Sequence, residues 1–227
     1  MLVNDILEEL KSLGNDSTKN IYLKHGAKEP FYGVKAEDLK KVQKRIKKNH
    51  ELSLALYESG NSDAMYLAGL IADHEKITKK DLQSWADKAY WYMLSEHTVA
   101  QTAAKSHFGL ELALKWIDSD KENIQSSGWS TLTYTLYYKM HLDSNLMQSL
   151  MQRIKKEIHG SVNRTRSSMN LFIISVGTYV DELTDEAMEI AEYIGKVKVD
   201  MGGTACKVPY APDYILKARK SKKKSLY

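Results

Sequence analysis

Apolar residues along this chain recur at spacings of three and four, and almost nowhere at two. Leu82, Trp85, Ala86, Ala89 and Tyr90 make one helical stripe, and Ala100, Ala103, Ala104, Phe108, Leu112 and Trp116 make a second. Thr78 stands where an N-cap belongs, with Asp81 three residues on as the acidic half of a capping box. The spacing predicts two long helices over residues 78–117, broken near Ser95, whose hydroxyl can cap the second. Two adjacent amphipathic helices cannot both bury their faces alone, so further helices must flank them.

The rest of the chain supplies those helices. Residues 4–13 read as a helix ended by Gly14, and Ser17 can cap a second that stops at Gly26. Pro30 and Gly33 mark a turn around Phe31 and Tyr32. Residues 36–48 read as a basic helix with Leu39, Val42 and Ile46 as its apolar stripe. Residues 51–59 and 62–72 pair across Gly60 and Asn61. Residues 119–139 follow, bringing Trp129, Leu132, Leu136 and Tyr137 to a packing face. Asp143 or Ser144 opens the next helix, residues 161–180 form another, and Thr184 opens one that Gly195 ends. The one strand candidate is KVKV at 196–199. Residues 200–212 break the helical regime. They can form a clasp packing Val208 and Tyr210 on the last helices, or an amide anion site from Gly202, Gly203, Thr204 and Lys207.

Helix, short turn and helix recur at roughly 35–45 residues, the period of two-helix repeats. The expected fold is all-α, a right-handed α-solenoid of antiparallel HEAT-like helix pairs, with a compact helical bundle as the alternative. It is expected as one domain over residues 1–227, in which 217–227 is a basic tail that can be disordered.

Composition narrows the function. The chain has 227 residues, 43% hydrophobic and 27% charged, which suits a folded globular protein. Cys206 is the only cysteine, so an intrachain disulfide framework and a Cys-rich zinc site are both excluded. His97 and His107 lack a third ligand at zinc-site spacing, and no metal or cofactor is expected. The N-terminus reads as neither a secretory signal nor a transit peptide, and no apolar run reaches membrane-span length. A cytoplasmic monomer is the expectation. Nucleophile elbows and Walker loops are absent from the sequence.

Net charge is only +4, but the cations cluster. One run holds Lys35, Lys40, Lys41, Lys44, Arg45, Lys47 and Lys48; a second holds Arg153, Lys155, Lys156, Arg164 and Arg166; a third ends the chain. On separate helix faces these are solvated surface. On one concave face they would track phosphates. Lys105, His107, Arg164 and Arg166 are the cations placed to meet phosphate, and Trp91 can stack on sugar or base.

Three stretches carry a resemblance. FYGVKAEDLKKVQKRIKK (31–48), WADKAYWYMLSE (85–96) and GKVKVDMGGTACKVPYAPDYI (195–215) resemble segments of the AlkD-like DNA alkylation repair proteins, and the likeness spans nearly the whole chain. The resemblance implies a HEAT-like stack with a groove for double-stranded DNA. It also implies a monofunctional glycosylase activity that releases cationic 3- and 7-alkylated purines. There a carboxylate near the sugar stabilises oxocarbenium-like charge. Trp91 matches the family tryptophan. The family's catalytic aspartate falls at Ser95, whose hydroxyl carries no negative charge, so Glu96 and Asp87 are the candidate catalytic carboxylates. The phosphate-binding arginine falls near residues 125–129, which hold no arginine, and a later groove tryptophan falls near Phe172. The reading is a DNA-binding protein of this family that recognises duplex or alkylated DNA. The alternative is a non-enzymatic scaffold for a protein or peptide.

Overall fold

In the computed structural model, residues 2–224 are described, with side chains as far as Ser221. Thirteen α-helices follow one another among the described residues. They are α1 (Val3–Ser12), α2 (Asp16–Lys24), α3 (Ala36–Ile46), α4 (His50–Glu58), α5 (Ser62–Ile71), α6 (Lys79–Lys88), α7 (Ala100–Lys105), α8 (Gly109–Trp116), α9 (Glu122–Tyr137), α10 (Ser144–Glu157), α11 (Asn163–Tyr179), α12 (Thr184–Ile194) and α13 (Ala211–Lys224). A wider, π-helical turn, Met93–Val99, leads into α7. No strand occurs among the described residues.

Most starts follow the capping chemistry. Thr78 and Asp81 form the reciprocal capping box of α6. Asn49, Asn61 and Asp143 each accept a hydrogen bond from a backbone N–H in the first turn of α4, α5 and α10. Asn15, not Ser17, caps α2. The central break also differs from the expected one. It falls at Ala89–Trp91, and Ser95 sits inside the π-helical turn with its hydroxyl donated back to the Trp91 carbonyl at 3.4 Å. KVKV at 196–199 is irregular backbone. The basic stretch expected as a tail continues α13 as far as Lys224, and residues 225–227 lie outside the described part.

The helices stack as an α-solenoid. α8 shows why a bundle is the wrong picture: Leu112 and Trp116 join one hydrophobic cluster, and Ala113 and the adjoining Ile117 join the next. A helix that serves two cores is a layer in a stack. α9 carries this further. Its buried residues include Ser126, Ser127, Gly128, Ser130, Thr131 and Thr135. Ser127, Thr131 and Thr135 each return a hydroxyl hydrogen bond to the carbonyl four residues back, so they enter the core with their donors spent. Small side chains let α8 come close, and a Cβ on Gly128 would lie 2.7 Å from the Ile117 nitrogen and 2.9 Å from the Ala113 carbonyl oxygen.

The 195–210 segment ties the ends of the stack together. Asn163 holds it through Asp200, and Asn170 through the Pro209 carbonyl. It also reaches α2: a Cβ on Gly202 would lie 1.8 Å from the Lys24 carbonyl oxygen, so only glycine fits there. Val208 packs on the second cluster, as expected of a clasp.

Two outcomes follow from this packing. Gly128→Ala should destabilise the protein by about 2 kcal/mol, because the clashing atoms are backbone and cannot rotate away; chemical denaturation checks it. His97 joins the π-helical turn to α9 through a 2.7 Å hydrogen bond between Nδ1 and the Tyr134 hydroxyl. Burial, helped by the charge of Arg164, lowers His97 from 6.5 to about 4, so the fold holds it neutral while the unfolded chain protonates it below 6.5. Its contribution is therefore present above pH 6.5 and is lost as pH falls toward 4, by up to about 3 kcal/mol. Denaturation midpoints of the wild type and His97→Gln across pH 4–7 should show a shallower slope in the variant. Parallel slopes would contradict the assignment.

Candidate nucleic-acid interface

The groups expected at the site separate into three environments. Trp91 is buried, and its indole N–H donates to the Ser62 hydroxyl at 2.8 Å. Ser95 is buried beside it, and its carbonyl oxygen lies 3.0 Å from the Ser127 hydroxyl oxygen. Phe172 is fully buried against Trp129 at the heart of the second core, so it presents no surface to a ligand. The family resemblance that put it near the groove pointed to the buried face of α11.

The second environment is a buried ion pair. Glu96 lies in the π-helical turn, which adds a residue to its turn, and its side chain points into the interior toward α11. Glu96 is 3% exposed and accepts two hydrogen bonds from Arg164, at 2.7 Å each, from Nε and from Nη2. The Arg164 guanidinium lies 4.5 Å from the centre of the Tyr92 ring, and its Nη1 is 3.7 Å from the Met201 sulfur. Its own backbone N–H donates to Glu122 at 2.8 Å. Burial raises the Glu96 carboxyl against the pull of Arg164. Burial works against the Arg164 charge, but its hydrogen bonds to Glu96 win and raise it. Glu96 and Arg164, read separately in the sequence, are thus one unit.

The remaining candidates lie apart. Asp87 is an exposed residue of α6 paired with Lys121 at 3.6 Å, and it shares no partner with Glu96. His107 pairs with Glu75 at 2.6 Å on the surface. Lys105 places its ammonium 4.6 Å from the centre of the Tyr138 ring. Arg166 borders an open cleft with Asn163, Lys198 and Lys207, and its Nε is buried without a hydrogen-bond partner. The Gly202 amide is already donated to Asp200, which leaves little of the anion site read at residues 202–207.

What the sequence reading missed is a continuous row of rings. Tyr22 meets Trp91, Trp91 meets Tyr92, Tyr92 meets His97, and His97 meets Tyr134, with centroids 5.3–6.2 Å apart. Tyr134 stacks on Tyr138, Tyr138 meets Tyr137, and Tyr137 meets Tyr179 of α11. His25 joins edge-on at Tyr92, with the exposed Cys206 sulfur 3.7 Å from its Nε2. Burial and Arg164 lower His25 as well. The row runs from α2 to α11, with Arg164 seated on its Tyr92. Tyr137 is 56% exposed, and Tyr92, Tyr138 and Tyr179 are partly so. The signal was present as Tyr134, Tyr137 and Tyr138, at helical spacing on one face of α9.

Among the described residues no group of three His, Cys, Asp or Glu is placed to hold a metal ion, and no helix is long and apolar enough to cross a membrane.

Comparison with known proteins agrees with this architecture. An uncharacterised protein of Listeria monocytogenes is 41% identical over 226 positions, covering 96% of this chain and 98% of its own. One of Listeria innocua is 40% identical with the same coverage. A solved structure is 36% identical with a TM-score of 0.91, covering 98% of this chain and 95% of that one. It is described as a family of proteins related to the HEAT-like repeat DNA glycosylases with affinity for branched DNA structures. The profile described as DNA alkylation repair enzyme matches residues 6–215. The chain therefore belongs to the DNA alkylation repair enzyme family, and its helices form that family's HEAT-like repeat solenoid.

Proposed function

We propose that the protein binds branched DNA along the row of rings centred on Tyr92 and Arg164, and does so without hydrolysing the glycosidic bond. One observation carries the second half. The candidate carboxylate that follows Trp91 in the π-helical turn is Glu96, and it is buried and committed to a bidentate pair with Arg164. A carboxylate that stabilises oxocarbenium-like charge must turn its negative charge toward the sugar. The charge of Glu96 is spent on a guanidinium, and Ser95 supplies none.

The rings support the first half. Bases at a branch point are partly unstacked and offer free faces to aromatic side chains. The solved relative's affinity for branched DNA is the partner class adopted here. Duplex arms would then meet the flanking lysines as phosphate contacts, which steer but do not discriminate.

Fluorescence anisotropy with a four-way junction and a duplex of equal length tests the reading. The junction should bind about tenfold tighter or better, and equal affinity overturns it. Tyr137→Ala removes an exposed ring and should weaken junction binding by about 1–2 kcal/mol while leaving the fold intact. Incubation with duplex carrying N-methylated purines should release no base. Release that Glu96→Gln abolishes would instead make alkylpurine hydrolysis the function. Glu96→Gln should also lower stability by about 3 kcal/mol, because it leaves the Arg164 cation without its counter-charge.

A further inference from the structure

A cavity of about 100 Å³ lies between α3, α5 and the stretch that runs from the π-helical turn into α7. Gln43, Tyr66 and His74 wall one side, and His97, Gln101 and Lys105, on successive turns, wall the other. Two of these are fully engaged. His97 is bonded to Tyr134, and the Gln101 amide bridges the hydroxyls of Tyr134 and Tyr138. The others are not. The His74 Nδ1 is buried with no hydrogen-bond partner. The Tyr66 hydroxyl is desolvated by burial. Among the described residues no carboxylate pairs with Lys105, and burial alone lowers its ammonium.

Folded proteins rarely leave buried polar atoms unmet, so the unpartnered His74 nitrogen at this cavity asks for a partner. The lining contains no carboxylate. The two acids nearest His74 are engaged elsewhere, Asp73 with Lys48 at 3.5 Å and Glu75 with His107 at 2.6 Å. What remains is one cation and several neutral donors lining a partly open cavity, the chemistry of an oxyanion site. At about 100 Å³ it has room for a tetrahedral oxyanion. A phosphate with one substituent presents three free oxygens to these groups, where a phosphodiester presents two.

The geometry points to a binding site for a phosphate monoester, free or at a DNA strand end, with Lys105 Nζ as counter-charge and His74, Tyr66 and Gln43 as hydrogen-bond donors. Only the strand end as a source rests on the DNA-binding reading; the site itself stands without it. His74 is consistent with this. Burial, then the charges of Lys105 and Lys48, lower it to about 4, so the pocket holds positive potential that an anion would relieve.

Two titrations decide the matter. Inorganic phosphate followed by calorimetry, with the His74 ring resonances observed by NMR, should show saturable binding. Lys105→Met, at an exposed backbone position, should weaken it about tenfold, and the isosteric Tyr66→Phe about threefold. Absence of saturable binding, or binding that neither variant changes, overturns the site. A four-way junction with 5′-phosphorylated ends is then compared with one bearing 5′-hydroxyl ends. Preference for the phosphorylated junction, lost in Lys105→Met, identifies strand ends as the source. Equal affinity with inorganic phosphate still bound identifies free monoesters. Failure of both junctions to bind defeats the DNA reading alone, and the inorganic phosphate titration still decides whether the site exists.

Discussion

A carboxylate and a guanidinium 68 residues apart in sequence meet in the interior of this stack, and much of the architecture is arranged so that they can. Removing either charge from water costs several kcal/mol, and their attraction offsets that only when the geometry is good and the remaining valences are met. Here two hydrogen bonds run in parallel at 2.7 Å, the Tyr92 ring covers the guanidinium, and Glu122 accepts the Arg164 backbone N–H. The net gain from such a pair is small, but its demand on register is large. A shift of α11 against the π-helical turn would strand two buried charges. The pair thus fixes how α9, α11 and the turn lie against one another, and the ring row inherits that alignment.

Much of the fold was legible because it rests on local rules. The Thr78–Asp81 box, the joint at Gly60 and Asn61, a helix start at Asp143 or Ser144 and the Gly195 stop are read from one or two residues and are all realised. The central break was not legible in place. Ser95 is a good capping residue by type, but the chain kinks earlier and uses residues 93–99 as a widened turn. That choice depends on what Glu96 meets 68 positions later, which no local window contains. α9 misleads for a different reason. Serine and threonine read as surface, yet Ser126, Ser127, Thr131 and Thr135 are buried because their hydroxyls bond back to their own helix.

The same contrast governs the interface. Trp91 drew attention as a large ring at a family position, and it is the member of the row that is buried. The accessible rings, Tyr92, Tyr137, Tyr138 and Tyr179, come from three elements and align only in the folded stack. The position of the family's aspartate has its own logic. Ser95 is 2% exposed, under the Ser127 hydroxyl and next to Glu96. A carboxylate there would be desolvated by burial, which disfavours its charged form, so an uncharged serine suits the site.

Charge, finally, does less in this molecule than its sequence clusters imply. Arg45 pairs with Glu9, Lys48 with Asp73, Arg153 with Asp118 and Glu157, and Arg219 with Asp181. Each pair ties one segment of the chain to another or to its own next turn, and each removes a cation from the count available to phosphate. Part of what looked like a phosphate-tracking footprint is therefore the outer lacing of the solenoid, while Lys40, Lys44, Lys47 and Lys156 pair with no carboxylate among the described residues. Recognition that adds neutral rings to such lysines gains from exposed base faces as well as from phosphate contacts. A groove of that kind discriminates by the shape and stacking state of its ligand, which is what separates a branch point from an intact helix.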